Sequence, residues 1–148
     1  MRVQRIDHIH IAVKDLDRAT GFFERVLGDH FSRPIEIDGE DELGNRAAMR
    51  SVLSPLGLEV VAPIAEEGFV HRFLEKRGEG LHAICFKVDD LEAAIRHFEE
   101  NGVRLVGRIT QGKVKEAQFH PKDSCGFMIE LCEYPDRSAT YDACVDND

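Results

Sequence analysis

The sequence predicts an α+β fold built from two βαβββ modules in one chain. Two observations carry that prediction. The stretch Leu81-His82-Ala83-Ile84-Cys85-Phe86-Lys87-Val88-Asp89-Asp90-Leu91 repeats the pattern of Ile6-Asp7-His8-Ile9-His10-Ile11-Ala12-Val13-Lys14-Asp15-Leu16 without a gap, at a constant offset of 75 positions. Hydrophobic periodicity after each copy then reads strand, helix, strand, strand, strand. Self-similarity of this kind is a signal at the level of the fold, because each unit is too small to bury a core alone.

In the first module, spanning about residues 4–63, the opening segment alternates and reads as a strand. Asp15 is placed as an N-cap, after which Leu16, Ala19, Phe23, Val26 and Leu27 recur at helical spacing up to Gly28, a natural stop. Alternation over 30–37 predicts a strand, 38–45 a polar loop, and 46–54 and 57–62 two more strands. A short helix is expected over 63–76, closed by Gly78. The second module, about 79–134, repeats the plan. Asp90 caps a helix carrying Leu91, Ala94, Ile95 and Phe98, and strands are expected at 103–109, 114–119 and 126–133. Residues 135–148 are polar and acidic without periodicity, which predicts a loosely ordered tail.

Composition narrows the function classes. With 148 residues, 43% hydrophobic and 32% charged, the chain suits one globular domain. A net charge of −9 argues against general nucleic-acid binding. No apolar run is long enough to span a bilayer. The N-terminus carries no signal-peptide segment, and Cys85, Cys125, Cys132 and Cys144 show no Cys-x-x-Cys spacing, so a cytoplasmic protein with free thiols is expected. Within this acidic chain Arg104, Arg108, Lys113 and Lys115 form a basic cluster, read either as a solvated hairpin rim or as a patch for an anionic substrate.

Strand parity singles out the opening segment as a candidate site. Ile9, Ile11 and Val13 share one face, fit to pack beneath a helix, while His8, His10 and Ala12 share the other. On the same principle His82 falls with Ile84, Phe86 and Val88 on the helix-packing face, from which only a β-bulge would turn it.

Together with Gly80-Leu81-His82-Ala83-Ile84-Cys85, His120-Pro121-Lys122-Asp123 and Gly126-Phe127-Met128-Ile129-Glu130-Leu131, the duplicated unit opened by Asp7-His8-Ile9-His10-Ile11-Ala12-Val13 resembles the vicinal oxygen chelate superfamily. That group includes glyoxalase I, extradiol dioxygenases and bleomycin-resistance-type proteins, and the motifs look most like its methylmalonyl-CoA epimerase branch. The resemblance covers about residues 4–134. It implies cupped mixed sheets around a central cavity, holding a divalent metal ion (Co, Mn, Zn, Ni or Fe). Carried over position by position, it implies His8, Glu59 and Glu130 as metal ligands. The remaining ligand position falls on Ala83, which has no donor atom. His10 and Cys85 face the same cup but stand one strand repeat farther along, so either reaches the same ion only if the ion shifts. Glu59 and Glu130 both lie in apolar runs, where an unpaired carboxylate is costly and a metal or histidine partner explains its presence.

The resemblance implies a metal-assisted epimerase or isomerase acting through an enolate on an acyl-CoA thioester or a similar small carbonyl acid. Glu130 and His10 are its candidate proton-transfer residues. His10, Cys85, His120, Lys113 and Lys115 are candidate substrate contacts; Cys85 reads equally as a small buried hydrophobe and His120 as the residue shaping the loop before the last strand. Two alternatives stand beside it: a metal-free protein that sequesters a small molecule in the same cup, favoured by Ala83, and a glyoxalase-type lyase or dioxygenase. A homodimer is compatible with the edge strands.

Overall fold

The computed structural model describes residues 1–145, in the order β1 (Val3–Ala12), α1 (Leu16–Leu27), β2 (Ile35–Glu40), β3 (Arg46–Leu53), β4 (Leu58–Pro63), α2 (Gly68–Arg77), β5 (Gly80–Val88), α3 (Leu91–Glu100), β6 (Leu105–Gln111), β7 (Val114–Phe119), β8 (Met128–Glu133) and α4 (Ala139–Val145). Both expected N-caps are in place. The Asp15 carboxylate accepts the Arg18 N–H at 2.9 Å to start α1, and Asp90 accepts the Ala93 N–H at 2.8 Å to start α3. Gly28 ends α1 in the left-handed conformation, φ 66°.

The two modules fuse into a single eight-stranded mixed sheet, ordered β2-β3-β4-β1-β5-β8-β7-β6. The two opening strands, β1 and β5, pair antiparallel at its centre; outward from them β1 runs parallel to β4 and β5 parallel to β8. The sheet curls until its edges meet. Beyond β2 the Glu42 N–H donates to the Arg108 carbonyl of β6 at 2.8 Å, and Asn45 donates to the Val106 carbonyl at 2.9 Å.

Helices α1 and α3 cover the convex face. Leu16 and Ala19 pack with Val52, Val60 and Ala62, while Leu91, Ala94 and Ile95 pack with Phe119 and Leu131. The third helix lies on the other side. Val70 and Leu74 of α2 pack on Ala12 and Val61, closing one end of the concave face. It starts at Gly68 rather than at residue 63, because the entry is tight. Gly68 has φ 88°, and a Cβ there would stand 3.2 Å from both the Ala48 nitrogen and the Arg46 carbonyl of β3.

Two expectations need correction. The segment after residue 134, read as a loose tail, carries α4, which lies against β3 with Thr140 and Cys144 buried and the Cys144 thiol on the Leu53 carbonyl at 3.2 Å. Residues 146–148 of that tail lie outside the described residues. Strict alternation also fails along the central pair: the β1–β5 register slips between Ile6 and His8, leaving Asp7 unpaired, and again after the His10–Ala83 pair, leaving His82 unpaired. Among the described residues no helix is long and apolar enough to cross a membrane.

Candidate metal centre and cavity

Three strands deliver the predicted side chains to one point. His8 and His10 come from β1, Glu59 from β4 and Glu130 from β8, all buried. His8 Nε2 lies 3.2 Å from Glu59 Oε2 and 3.6 Å from Glu130 Oε1. His10 Nε2 lies 2.9 Å from His8 Nε2, 2.9 Å from Glu130 Oε1 and 3.5 Å from Glu59 Oε2. The expectation that His10 stands a strand repeat away from this point therefore fails. The β1–β5 register is regular from His8 to His10, so it is the side chains on their shared face that lean together, with ring centroids 4.7 Å apart.

A second layer holds these groups. A carboxylate only accepts, so the 2.9 Å contact from His8 Nδ1 to Asp7 Oδ2 is an N–H donated by the imidazole. Asp7 is in turn bonded by the Tyr134 hydroxyl, and by Arg5 at 3.0 Å. Gln118 on β7 donates to Glu130 Oε2 at 2.7 Å. Two imidazoles and two carboxylates, with an outer carboxylate fixing one histidine tautomer, form a donor set suited to a borderline divalent ion.

Charge balance dominates the electrostatics. Burial opposes the charge on His8, but its bonds to Asp7, Glu130 and Glu59 outweigh that and raise its pKa well above the ordinary value. Burial likewise opposes charge on His10, and the negative Glu130 and Glu59 raise its pKa. Against their own burial, the two histidines hold Glu130 well below, and Glu59 below, the usual carboxylate range.

The cluster forms the floor of a cavity of about 400 Å³ with an apolar wall that includes Ile35, Ile37, Met49 and Phe69. The α4 helix contributes Ala139, Thr140 and Ala143 to its lining. Glu116 of β7 lines the same cavity, and burial with the nearby negative Glu130 and Glu59 raises its pKa to about 8. Sequence reading missed both Glu116 and Gln118. Alternation along β7 was the available signal, since Ala117 and Phe119 face α3.

The remaining predicted contacts divide. Cys85 is fully buried with Cys132 and Tyr134, so it is a core residue rather than a surface for substrate, and burial raises its thiol pKa well above the ordinary value. Lys113 does line the cavity, with Asp136 at 3.8 Å. Lys115 instead donates to Glu133 at 3.1 Å. The basic cluster as a whole is largely neutralised, for Arg104 pairs with Asp123 at 2.7 Å and Arg108 with both Glu42 and Glu92. His120 caps the turn Pro121–Asp123, accepting the Lys122 N–H at 3.1 Å, and faces a different cavity.

That second cavity, of about 420 Å³, adjoins the first through the shared side chains Phe69, His82 and Met128. Its rim carries Arg72, Lys76 and Arg77 from α2 and Lys122 from the turn before β8. His82 sits on the dividing wall. Its bulge turns it away from the α3 face and onto Phe69 and Phe73 of α2, at ring distances of 6.0 and 4.8 Å. Burial first, then the positive His10, lowers its pKa to about 4.

A family model described as Glyoxalase/Bleomycin resistance protein/Dioxygenase superfamily matches residues 7–121. Among curated proteins, the chain is 34% identical over 135 residues to Uncharacterized protein YqjC of Bacillus subtilis (88% of this chain, 93% of that protein). It is 30% identical over 135 residues to the Ethylmalonyl-CoA/methylmalonyl-CoA epimerase of Cereibacter sphaeroides (87% and 97%). Among solved structures, a Streptomyces coelicolor methylmalonyl-CoA epimerase variant in complex with 2-nitronate-propionyl-CoA superposes with a TM-score of 0.77 at 28% identity, covering 91% of this chain and all of that one.

Proposed function

The chain belongs to the Glyoxalase/Bleomycin resistance protein/Dioxygenase superfamily, and on that premise we propose that it is a metal-assisted epimerase acting on an acyl-CoA thioester through an enolate. The observation that carries this reading is the convergence of His8, Glu59 and Glu130 on one point at the floor of an apolar cavity. A divalent ion held by these residues supplies positive charge that favours the negative charge developing on a thioester oxygen.

The chain's own groups account for the rest. The apolar wall of Ile35, Ile37 and Met49 receives the acyl part and excludes water. Glu130 and His10, the candidate proton-transfer groups read from sequence, are engaged with each other at 2.9 Å. Among the carboxylates that line the cavity outside that cluster, Glu116 has a pKa near 8, which suits transfer in both directions close to neutrality. We assign it the removal of the proton from the carbon beside the thioester. The basic rim of Arg72, Lys76, Arg77 and Lys122 on the adjoining cavity matches the phosphates of a CoA carrier, a role the Arg104–Lys115 cluster cannot fill while its charges are paired.

Ala83 favours the second reading, a metal-free protein that sequesters a small molecule in the same cavity. The experiment that separates the two is metal analysis of protein purified without chelator, followed by incubation with methylmalonyl-CoA in D2O. The epimerase reading expects about one divalent ion per chain and deuterium appearing at the carbon beside the thioester. Protein that binds the thioester with neither ion nor exchange would establish the sequestering reading instead.

A further inference from the structure

We propose that His10 is the fourth ligand of this metal centre, supplied from β1 to replace the donor that Ala83 on β5 lacks. The inference rests on the cavity holding a divalent ion. It adds which residue completes the coordination.

Register makes the replacement physically direct. His10 and Ala83 are cross-strand partners in the β1–β5 pair, so the space that alanine leaves lies next to the His10 ring. Ala83 is itself buried, at 1% exposure. The neighbouring His82 does not serve instead, because the bulge after the His10–Ala83 pair carries it onto Phe69 and Phe73, with its ring centroid 6.2 Å from that of His10.

Distances place His10 among the ligand atoms. His8 Nε2 and His10 Nε2 lie 2.9 Å apart, and their separations from Glu59 Oε2 and Glu130 Oε1 run from 2.9 to 3.6 Å. His8, His10 and Glu59 each offer an atom such that all three lie within 4.8 Å of one another, close enough to share an ion.

Orientation points the same way. His8 donates its Nδ1–H to Asp7, which turns its Nε2 toward His10 Nε2 and the two carboxylates. A cation placed among these atoms would take them as ligands.

The test uses the full chain labelled with ¹⁵N-histidine and titrated with Zn(II), alongside Co(II) affinity measurements on variants whose fold is checked by circular dichroism. Expected is a shift of the Nε2 resonances of both His8 and His10 at one equivalent of zinc. His10→Leu should weaken Co(II) binding by more than the roughly 100-fold that loss of an outer-shell partner costs. Ala83→His placed on His10→Leu should recover most of that loss, since it returns a donor to the same point. If zinc shifts His8 alone, or His10→Leu binds cobalt as tightly as the parent, His10 is not a ligand, and the metal-assisted reading survives with three. If the parent binds neither ion, the metal-assisted reading falls, and this inference with it.

Discussion

Asp7 and His82 occupy equivalent positions in the two modules, 75 residues apart, and each is skipped by the β1–β5 ladder at a register slip beside the site. Each bulge aims a side chain that alternation would have placed on the helix-packing face. Asp7 reaches the Nδ1 of His8, and His82 reaches the aromatic pair on α2. The duplication thus repeats a backbone irregularity as well as a pattern of strands, and both copies use it to build the concave face.

Removing the Asp7 carboxylate should therefore act on the metal centre without touching a ligand. Asp7→Ala frees His8 to adopt either tautomer, and divalent-metal affinity should fall by about 10- to 100-fold. Competition against a chelator of known affinity measures it. An unchanged affinity would mean that strand packing alone orients His8.

His82 makes stability depend on acid. In the unfolded chain its imidazole protonates near 6.5, whereas in the fold it resists until about 4. Between those values the unfolded chain binds the extra proton, so its contribution is fully present above pH 6.5 and is lost as the pH falls towards 4. The loss amounts to up to about 3 kcal/mol. Urea titrations of the metal-free protein at pH 7 and pH 4.5 should show this difference, and His82→Leu should remove that part of the slope.

Glu116 is the test of the proton-transfer assignment. Glu116→Gln should lower the rate of deuterium exchange by about 10²- to 10⁴-fold while leaving the metal content at the parent's level. In the parent, the exchange rate should climb as the pH rises through about 8, because the carboxylate is the active form. A Gln variant that exchanges at the parent's rate removes Glu116 from the mechanism.

The basic rim should distinguish carrier from acyl group. Arg72→Glu together with Lys122→Glu should raise KM for a CoA thioester by about tenfold or more and leave KM for the matching short thioester, which lacks the phosphates, unchanged. That selectivity should shrink in high salt. Equal effects on the two substrates would place the CoA phosphates elsewhere.

The sequence by itself determined the repeat, the βαβββ order of each module, the Asp15 and Asp90 caps, and the concave placement of His8, Glu59 and Glu130. These follow from local periodicity and from residue types whose preferences hold wherever the chain folds. Ala83 was legible in the same way, as a gap in a repeated pattern. Only the tertiary structure shows that the His10 ring stands across from that gap. Alternation assumes an unbroken ladder, and a bulge exists only once two strands choose their register, so the reach of Asp7 and the rotation of His82 had no local signature. The convergence of His10 on His8 and Glu130 depends on side-chain contacts with a remote strand. Charges behaved likewise. Arg104 and Arg108 look free along the chain but meet Asp123, Glu42 and Glu92 in space, while Arg72, Lys76, Arg77 and Lys122 come together because α2 packs beside the turn before β8. Pairing and patch formation are properties of distance, and distance between remote residues is set by the sheet's curl and the helix docked on it.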